Sequence, residues 1–315
     1  MSQSRRTPLA HRLHRPPQAI APFEPGDPSR GYYNDLTVEL IRYGPSAKDA
    51  RIALEAMTRE RRLANPIDIA QLGLAAFQRA HLSPDWPALG LAAARWLAAD
   101  LDEQGRLAFH FALPHTYELA PPWYSAMAQG EATSLLVRAT LAFDDGALAA
   151  AAERTTLALV DPALGLIVQT PEGPVLQEYA TTPESHVLNG WIFALWGLYD
   201  VSLLRGADEA VVTRAAEAFD TGARALDRRL ALYELRRGWS RYDLYPRMLP
   251  HVASPFYHRL HAAQLTAMSR LRPDLAQLEA TAARWTATAR DPVAIAGASV
   301  FKGLHRTFRP RRPVR

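Results

Sequence analysis

Three short segments of the chain carry side chains that could exchange protons with a bound molecule. They are Glu178-Tyr179, Tyr242-Asp243 and the run from Tyr257 to His261. Each segment follows or lies within a predicted turn. A phenol has an ordinary pKa of about 10, so it acts as a base only where cations or hydrogen bonds favour the phenolate. We therefore expect acid–base chemistry from groups that converge from distant parts of the chain.

Two histidines of the third segment, His258 and His261, are three residues apart and would share one face of a helix. Such a pair could bind a metal ion, but no matching pattern of carboxylates accompanies it, which favours simple hydrogen bonding. Phosphate-binding glycine motifs of the forms G-x-G-x-x-G and G-x-x-x-x-G-K-[ST] do not occur in the sequence. We therefore expect no metal ion and no cofactor.

The pair Glu178-Tyr179 is predicted at the end of a hairpin. Residues 165–179 form two β-prone runs around a Pro-Glu-Gly turn. Thr182 is a suitable N-cap and Pro183 a suitable first helical residue, so a helix is predicted to begin there. Large apolar residues then recur at helical spacing. The acid and the phenol are thus expected just ahead of a core helix.

The rest of the pattern is largely helical. Further helices are predicted over residues 66–80, 86–100, 123–143, 147–160, 207–226, 256–269 and 274–289. A short strand is predicted over residues 107–111, and a second hairpin over residues 230–245 turns near Gly238. Strands are too few for a doubly wound sheet or a large barrel. We predict a mainly α fold, an antiparallel α/α toroid (incomplete α/α barrel) with short β-hairpins at one mouth.

The two ends of the chain lack this periodicity. Residues 1–30 are rich in proline and arginine and are predicted to form a disordered basic arm. Residues 31–290 are predicted to form the toroid domain, and residues 291–315 a basic C-terminal tail. An aromatic and polar cluster, Tyr32-Tyr33-Asn34-Asp35, begins the domain and either lines a site or anchors the arm.

Composition constrains the ligand and the compartment. The net charge is +4, and 34 of the 36 basic residues are arginine. Arginine binds carboxylate and sulfate well, although a GC-rich genome gives the same bias. No nucleic-acid-binding motif accompanies the basic tail, so nucleic acid is not expected. The N-terminus lacks an apolar signal segment and no apolar run is long enough to span a membrane. We expect a cytoplasmic protein, with peripheral membrane association as an alternative.

A family resemblance emerges from several segments taken in order. The segments are PIDIAQLGL from Pro66, PWYSAMAQG from Pro122, Glu178-Tyr179 with Thr181-Thr182-Pro183, VLNG from Val187 with GLYD from Gly197, Tyr242-Asp243-Leu244, and Tyr257-His258 with His261 and Gln264-Leu265. Together they resemble the C-terminal catalytic region of the D-glucuronyl C5-epimerases, which convert D-glucuronate to L-iduronate in heparan sulfate and heparosan-type chains. The resemblance covers residues 66–265.

The resemblance implies that Glu178, Tyr179, Tyr242 and Tyr257 surround the reacting uronate. Epimerisation at C5 needs two acid–base groups on opposite faces of the ring, and Tyr257 with Glu178 is the expected pair. The matching segments also contain the predicted substrate-binding residues Trp123, Tyr124, Gln129 and Asn189. The carbanion intermediate needs cations and hydrogen-bond donors, and the candidates for these, chosen by proximity, are Arg241, Arg247, His258, Arg259 and His261. The implied ligand is an anionic, uronate-containing glycan of the heparosan type or another bacterial uronate glycan, and a homodimer is a further alternative.

Two departures from the family pattern bear on the substrate. Animal members carry an arginine three residues after the tyrosine that Tyr242 matches, whereas this chain has Tyr245. If that arginine binds the uronate carboxylate, either Arg241 or Arg247 must replace it or the substrate differs. The large β-rich N-terminal region of those enzymes has no counterpart in the first sixty residues.

Other functions share parts of this pattern. A uronate lyase forms the same C5 carbanion and then expels the C4 substituent. A glycoside hydrolase would need a second carboxylate beside Glu178, for which Asp243 is the candidate. A helical glycan-binding module would use the tyrosines as hydrogen-bonded anchors at the hairpin ends.

Overall fold

The computed structural model describes residues 18–112, 117 and 119–308, and this part of the chain is mainly helical. The α-helices are α1 (Ala47–Thr58), α2 (Pro66–Gln78), α3 (Asp85–Asp100), α4 (Ala126–Phe143), α5 (Gly146–Val160), α6 (Leu188–Ser202), α7 (Glu209–Tyr233), α8 (Pro255–Leu271), α9 (Ala276–Thr288) and α10 (Pro292–Phe308). None of the helices in these residues is long and apolar enough to cross a membrane.

Short antiparallel hairpins complete the described secondary structure. The pairs are β1 (Phe23–Glu24) with β2 (Asp27–Gly31), β3 (Ala108–Phe109) with β4 (Trp123–Tyr124), β5 (Ile167–Thr170) with β6 (Gly173–Leu176), and β7 (Glu234–Leu235) with β8 (Trp239–Ser240). The last three hairpins each precede one helix, α4, α6 or α8. Polar side chains at the hairpin ends are therefore carried to the N-terminal ends of these three helices.

The helices form two layers. Helices α2, α4, α6 and α8 contact one another in chain order, and each also packs against the helix that follows it. Those following helices, α3, α5, α7 and α9, contact one another in the same order. Nearly every residue of α4 and α6 is buried, so the first set is the central layer. The mainly helical prediction is confirmed, and the antiparallel toroid, an incomplete α/α barrel, stays a prediction.

Side-chain caps explain where several helices begin. Asn65 accepts a hydrogen bond from the backbone N–H of Ile67 at the start of α2, as the sequence predicted. Ser125 caps α4, Asp145 caps α5, Asp208 caps α7 and Ser254 caps α8 in the same way. Helix α6 differs from these helices, because no side chain caps its N-terminal end.

Helices α4 and α6 approach until their backbones touch. A Cβ atom added at Gly197 would lie 2.5 Å from the backbone oxygen of Gly130, and one added at Gly130 would lie 2.4 Å from the Cα of Ala194. Such distances exclude any side chain at either glycine unless the helices separate. The glycines of α4 and α6 thus allow the two helix backbones to come into contact.

We expect Gly197→Ala to lower the free energy of unfolding by about 1–3 kcal/mol, because two core helices must move apart. Gly297→Ala on α10 is the matched control, since nothing lies within 4 Å of an added Cβ there. Alanine favours the helix at that exposed position, so the control should be unchanged or stabilised by up to about 1 kcal/mol. Urea unfolding of both variants measures this, and equal effects would contradict the close-contact interpretation.

The helix after Glu178 begins later than the sequence predicted. The prediction placed Thr182 at the N-cap and Pro183 in the first turn, whereas α6 begins at Leu188 and the Thr182–Pro183 peptide bond is cis. Tertiary pairing replaces the first helical turn. The Leu244 N–H donates to the Ser185 carbonyl, and the Leu188 N–H donates to the Tyr242 carbonyl. Residues 178–187 therefore lie alongside the segment that contains Tyr242.

The chain ends also differ from their predictions where they are described. Residues 18–30 were assigned to a disordered arm, yet they include most of the β1–β2 hairpin of Phe23–Gly31. Residues 291–315 were assigned to a tail, yet Pro292–Phe308 forms helix α10. The remaining parts of both predictions, residues 1–17 and 309–315, lie outside the described residues.

The cluster at Tyr32 and Tyr33 anchors the N-terminal hairpin. The Tyr33 hydroxyl donates to Asp200 at 2.5 Å, and Arg138 forms a buried ion pair with the same carboxylate at 2.6 Å. Arg138 also donates to the Gly31 carbonyl. Asp200 lies near the C-terminal end of α6, opposite the end that follows Glu178. Of the two sequence interpretations, these contacts favour an anchor.

Candidate active site

The sequence-predicted acid–base residues converge at the N-terminal ends of α4, α6 and α8. Backbone hydrogen bonds join the segments that precede these helices. The Ala126 N–H donates to the Gln177 carbonyl at 2.9 Å, and the Leu188 N–H donates to the Tyr242 carbonyl at 3.2 Å. Helices α4 and α6 are therefore each tied to the segment before the next central helix, and distant parts of the chain form one site.

Six aromatic side chains form the body of this site, and we call them the aromatic cluster. They are Phe109, Tyr117, Trp123, Tyr179, Tyr242 and Tyr257. Their ring centroids are close: Tyr242 lies 4.8 Å from Tyr257, and Tyr117 lies 5.2 Å from Tyr179. Such edge and tilted contacts between aromatic rings stabilise the arrangement. Three of the four predicted catalytic residues belong to the cluster.

Glu178, the fourth predicted catalytic residue, is buried beside the cluster at the first turn of α6. Burial raises the pKa of its carboxyl group to about 7, although hydrogen bonds from Tyr179, Asn189 and the Gly190 N–H partly offset the effect. The Asn189 amide is 3.3 Å from Oε2. A Cβ atom at Gly190 would lie 2.4 Å from Oε2, so a glycine is needed there. A carboxyl group with a pKa near neutrality can both take and give a proton at pH 7.

The phenols of the cluster are held in their neutral form. Burial, together with the negative charge of Glu178, raises the pKa of Tyr179 and of Tyr242 well above the ordinary value. Both side chains are therefore protonated at physiological pH and act as donors. The site thus combines one carboxyl group that ionises near pH 7 with buried hydroxyl groups that carry protons.

A buried polar network lies behind Tyr242 and centres on Asp243. Its carboxylate accepts hydrogen bonds from Arg247 at 2.9 Å, from His251 at 2.7 Å and from the Tyr117 hydroxyl. Burial alone would raise the pKa of Asp243, but the hydrogen bond and charge of His251 and the charge of Arg247 outweigh it, so the pKa is lowered. Asp243 is therefore ionised and is fully occupied by these partners.

Sequence reasoning found Asp243 but not the partners Tyr117, His251 and Lys302. The Lys302 ammonium group donates to His251 at 2.7 Å from helix α10, some fifty residues further along the chain. No local pattern marks these residues. Lys302 was predicted to lie in a basic C-terminal tail and was therefore not predicted as a site residue.

Two of the substrate-binding residues predicted near the N-terminal ends of α4 and α6 lie at the cluster. Trp123 stacks on Phe109 at 3.9 Å and lies 5.9 Å from the Tyr179 ring, with its indole N–H donated to a backbone carbonyl. Asn189 contacts Glu178 directly. Both are therefore placed to shape the site.

Tyr124 and Gln129 are placed elsewhere. Tyr124 is the strand neighbour of Trp123 and points to the other face, where Arg106 lies 3.9 Å over its ring. The Gln129 side chain accepts from the Leu107 N–H at 2.7 Å and donates to the Gly105 carbonyl at 2.9 Å. The structure gives Gln129 a role in fixing the turn before β3 and does not bring it to the cluster.

The predicted histidines occupy the first turns of α8. His258 accepts from the Ser240 N–H and donates to the Thr288 hydroxyl, and it stacks on Trp239 at 3.9 Å. Burial lowers the pKa of His258 to about 4. His261 is bonded to Ser240 through Nδ1, while its buried Nε2 has no partner in the described residues. His258 thus faces away from the cluster.

His261 lies closer to the cluster, with its ring 6.4 Å from that of Tyr257. Burial and the neighbouring His258 lower the pKa of His261 well below the ordinary value, so it is neutral. In the described part of the chain, no group of three or more histidine, aspartate or glutamate side chains is placed to hold a metal ion.

The predicted arginines differ in their surroundings. Arg247 is buried, pairs with Asp243, and lies 4.9 Å from the Tyr245 ring and 5.3 Å from the Tyr117 ring. It therefore lies next to the position at which animal relatives carry arginine. Arg241 precedes Tyr242 and its backbone N–H donates to the Tyr233 carbonyl. Arg259 is half-buried on α8.

Glu131, a buried acid on α4, also escaped the sequence analysis. It accepts from the Gln71 amide at 3.0 Å, and burial, with the charges of Glu178 and Asp68, raises its pKa well above the ordinary value. The side chain is therefore a neutral carboxyl group. The sequence around Glu131 consists mainly of small and apolar residues, and this pattern does not show whether the glutamate is buried or exposed.

We expect Glu131→Gln to remove a pH dependence of stability. Because the folded-state pKa of Glu131 is raised, its contribution is full below the unfolded pKa and is lost as the pH rises. The free energy of unfolding of Glu131→Gln, relative to the wild type, should therefore increase from pH 5 to pH 9. Glu55→Gln, at an exposed position on α1, is the control and should show no such trend. A difference independent of pH for Glu131→Gln would contradict the assignment.

Comparison with known proteins places this site in a family. The sequence profile described as D-glucuronyl C5-epimerase C-terminus matches residues 101–287, which include the aromatic cluster and Glu178. The D-glucuronyl C5-epimerase of Caenorhabditis elegans is 34% identical over 213 residues, covering 62% of this chain and 34% of the relative. This chain therefore spans about a third of the length of that relative. The profile covers more than half of the chain, and the chain belongs to the family of D-glucuronyl C5-epimerase C-terminal regions.

Proposed function

We propose that this protein is an epimerase that converts D-glucuronate to L-iduronate within a glycan by inverting C5. The observation that carries the proposal is Glu178, whose pKa of about 7 is maintained in contact with a neutral phenol. Family membership and the name of the relative support the same reaction. Heparosan, an unsulfated glucuronate polymer, is the proposed test substrate.

Glu178 is the proposed base. The C5 proton lies α to a carboxylate and is weakly acidic, so its removal needs a base positioned on one face of the ring. The Gly190 N–H and the Asn189 amide hold the Glu178 carboxylate in place. Proton transfer leaves Glu178 neutral and the substrate as a carbanion whose charge is shared with its carboxylate.

Tyr257 is the proposed acid on the opposite face. It lies in the first turn of α8, and its ring contacts Tyr242. The phenol gives its proton to C5, which inverts the centre and leaves a phenolate. Protons then exchange with solvent, from Glu178 outward and to Tyr257 inward, and the original charge states return. Tyr179 and Tyr242 supply further hydroxyl groups that stabilise the intermediate.

The negative charge of the intermediate needs positive partners. The N-terminal ends of α6 and α8 point into the site, and a helix N-terminus stabilises a nearby anion. Arg247 is the proposed carboxylate-binding cation, because Asp243 fixes it beside Tyr245, where animal members carry arginine. A site of this kind lowers the energy of the carbanion through groups that are already in position.

The ionisation of Glu178 gives the reaction a defined pH dependence. We expect kcat/KM to rise as the pH increases through about 7, because Glu178 must be ionised to accept the C5 proton. A pH–rate profile of iduronate formation between pH 5 and pH 9 measures this. An activity that falls through the same range would contradict the role of Glu178 as base.

Product analysis separates the proposed function from its alternatives. The protein is incubated with heparosan and with other glucuronate polymers, and the products are examined by NMR and absorbance. Iduronate supports the epimerase, an unsaturated uronate supports a lyase, and new reducing ends without unsaturation support a hydrolase. Binding without any product on any polymer supports a glycan-binding module. The cytoplasmic location and the homodimer stay predictions.

A further inference from the structure

Helix α10 begins after residue 287, where the family match ends, yet it contributes a charged side chain to the candidate active site. Lys302 lies 2.7 Å from Nε2 of His251 and 3.1 Å from the Val252 carbonyl. Its ammonium group also lies 5.9 Å from the centre of the Tyr242 ring. A residue beyond the matched region thus contacts the polar network directly behind a proposed catalytic tyrosine.

The hydrogen bonds of His251 determine its tautomer. An ammonium group can only donate, so Nε2 must accept from Lys302. Asp243 is an ionised carboxylate that can only accept, so Nδ1 must carry the proton that it donates at 2.7 Å. Both conditions are met by one form, the neutral imidazole protonated at Nδ1.

We propose that Lys302 is a positioning residue of the active site: its ammonium group fixes His251 as the neutral Nδ1–H tautomer, which holds Asp243 and Tyr242 in place. The inference deepens the proposed function, and its relevance to catalysis rests on that function. His251 also accepts the Tyr242 N–H through its backbone carbonyl at 2.7 Å, and the two rings are 4.9 Å apart. A change in the position of His251 is therefore expected to move Tyr242, because the two residues share a backbone hydrogen bond and a ring contact.

The charges around His251 make the role of Lys302 specific. The groups that face the imidazole are Asp243 and Arg247 from its own loop, Lys302 from α10 and the ring of Tyr242, with the Tyr117 hydroxyl on the far side of Asp243. Burial lowers the pKa of His251, Asp243 opposes this, and Lys302 and Arg247 lower the pKa further. Removal of the ammonium group removes a positive charge that opposes protonation of Nε2, so we expect the pKa of His251 to rise when Lys302 is neutralised.

Helix α10 has an apolar anchor that is independent of Lys302. Ala298 packs with Trp239 and Val252, and Ile295 and Phe301 contact the same group. Lys302→Met keeps an unbranched apolar side chain that is one atom shorter and removes the charge and the donors, so the helix should stay docked. Lys302→Gln is also one atom shorter but keeps a neutral N–H donor while it removes the charge, which makes it a second test that does not depend on Lys302→Met being stable.

Histidine NMR tests the inference directly. The full-length protein is labelled with ¹⁵N-histidine, His251 is assigned with a His251→Gln variant, and spectra are recorded from pH 5.5 to pH 8. We expect the wild type to keep the Nδ1–H pattern throughout and Lys302→Met to titrate within this range. Lys302→Gln should keep the Nδ1–H tautomer at pH 8 and titrate on acidification. Unchanged His251 signals in both variants, or an Nε2–H or charged His251 in the wild type, would overturn the inference.

The catalytic consequence is measured in parallel. We expect kcat/KM for iduronate formation to fall about tenfold in Lys302→Met and its pH profile to gain an ionisation that the wild type lacks. Lys48→Met is the matched control, because Lys48 is the other lysine of the chain and is exposed on α1. If the wild type forms no iduronate, the proposed function fails while the NMR spectra still decide the role of Lys302.

Discussion

Replacement of Glu178 by glutamine is expected to lower kcat for iduronate formation by about 10²–10⁴-fold, the usual contribution of a general base. The amide keeps the shape of the side chain and can still accept from Asn189, but it cannot take the C5 proton. Substrate binding should change little, because the carboxyl group is buried and its partners remain. NMR quantification of iduronate from heparosan at saturating substrate measures the loss.

The same substitution should stabilise the protein at neutral and alkaline pH. Burial raises the folded-state pKa of Glu178 from 4.5 to about 7, so its favourable contribution is full below pH 4.5 and is lost as the pH rises towards 7. This difference amounts to about 3 kcal/mol. The free energy of unfolding of Glu178→Gln, relative to the wild type, should therefore increase by that amount between pH 4.5 and pH 8.

Glu279→Gln, at an exposed position on α9, is the control for both measurements and should match the wild type in each. Full activity in Glu178→Gln would remove Glu178 from the reaction. Lost activity with lost stability at all pH values would indicate a purely structural role. The combination of lost activity and gained stability is the result that identifies Glu178 as a catalytic base held at a cost in stability.

The second large effect is expected for Tyr257→Phe, which should lower iduronate formation by about 10²–10⁴-fold. Phenylalanine preserves the ring contacts with Tyr242 and removes the hydroxyl that protonates the opposite face of the uronate. Glu178 can still remove and return a proton on its own face. Exchange of the C5 hydrogen with retained configuration should therefore fall less than inversion does.

Tyr199→Phe is the matched control, since Tyr199 lies near the other end of α6 and its hydroxyl accepts a backbone N–H from Gly26. That variant should form iduronate at the wild-type rate. Equal losses of exchange and inversion in Tyr257→Phe would contradict a separate role for each face, and normal inversion would show that another tyrosine is the acid. Tyr242→Phe and Tyr179→Phe would then be compared in the same assay.

The four proposed acid–base residues of the site could be predicted from the sequence. Glu178, Tyr179, Tyr242 and Tyr257 each follow a turn signal before a helix, and the structure brings all four together at the ends of neighbouring helices. Their convergence follows from the backbone hydrogen bonds that join the segments before α4, α6 and α8. At these four positions the sequence pattern and the packing of the structure indicate the same site.

Other features depend on contacts that no local pattern contains. Helix α1 was missed although Ser46 and Asp49 form a reciprocal capping box, because the following residues are weakly apolar. Helix α6 was placed too early because the capping signal at Thr182 was strong, whereas pairing with the Tyr242 segment determines the backbone there. The contact of Lys302 with His251 joins residues 51 positions apart and becomes visible only in three dimensions.

Hydrogen bonds and ion pairs in the structure also distinguish among the predicted substrate-binding residues. Gln129 lies in a segment that matches the family, yet its amide fixes the backbone of the preceding turn. Arg247, which proximity alone did not distinguish from Arg241, lies beside Tyr245 and is held by Asp243. The structure thus supports a smaller set of site residues than the sequence suggested.

The central claim, proton removal from one face and return to the other, is tested most directly by incubating the wild-type protein with heparosan in deuterated water. The recovered iduronate is examined by NMR for deuterium at C5. The account predicts one deuterium at C5 of every iduronate formed, because the tyrosine that reprotonates C5 exchanges with solvent. Iduronate that retains protium at C5, or no iduronate from a polymer that the protein binds, would contradict it.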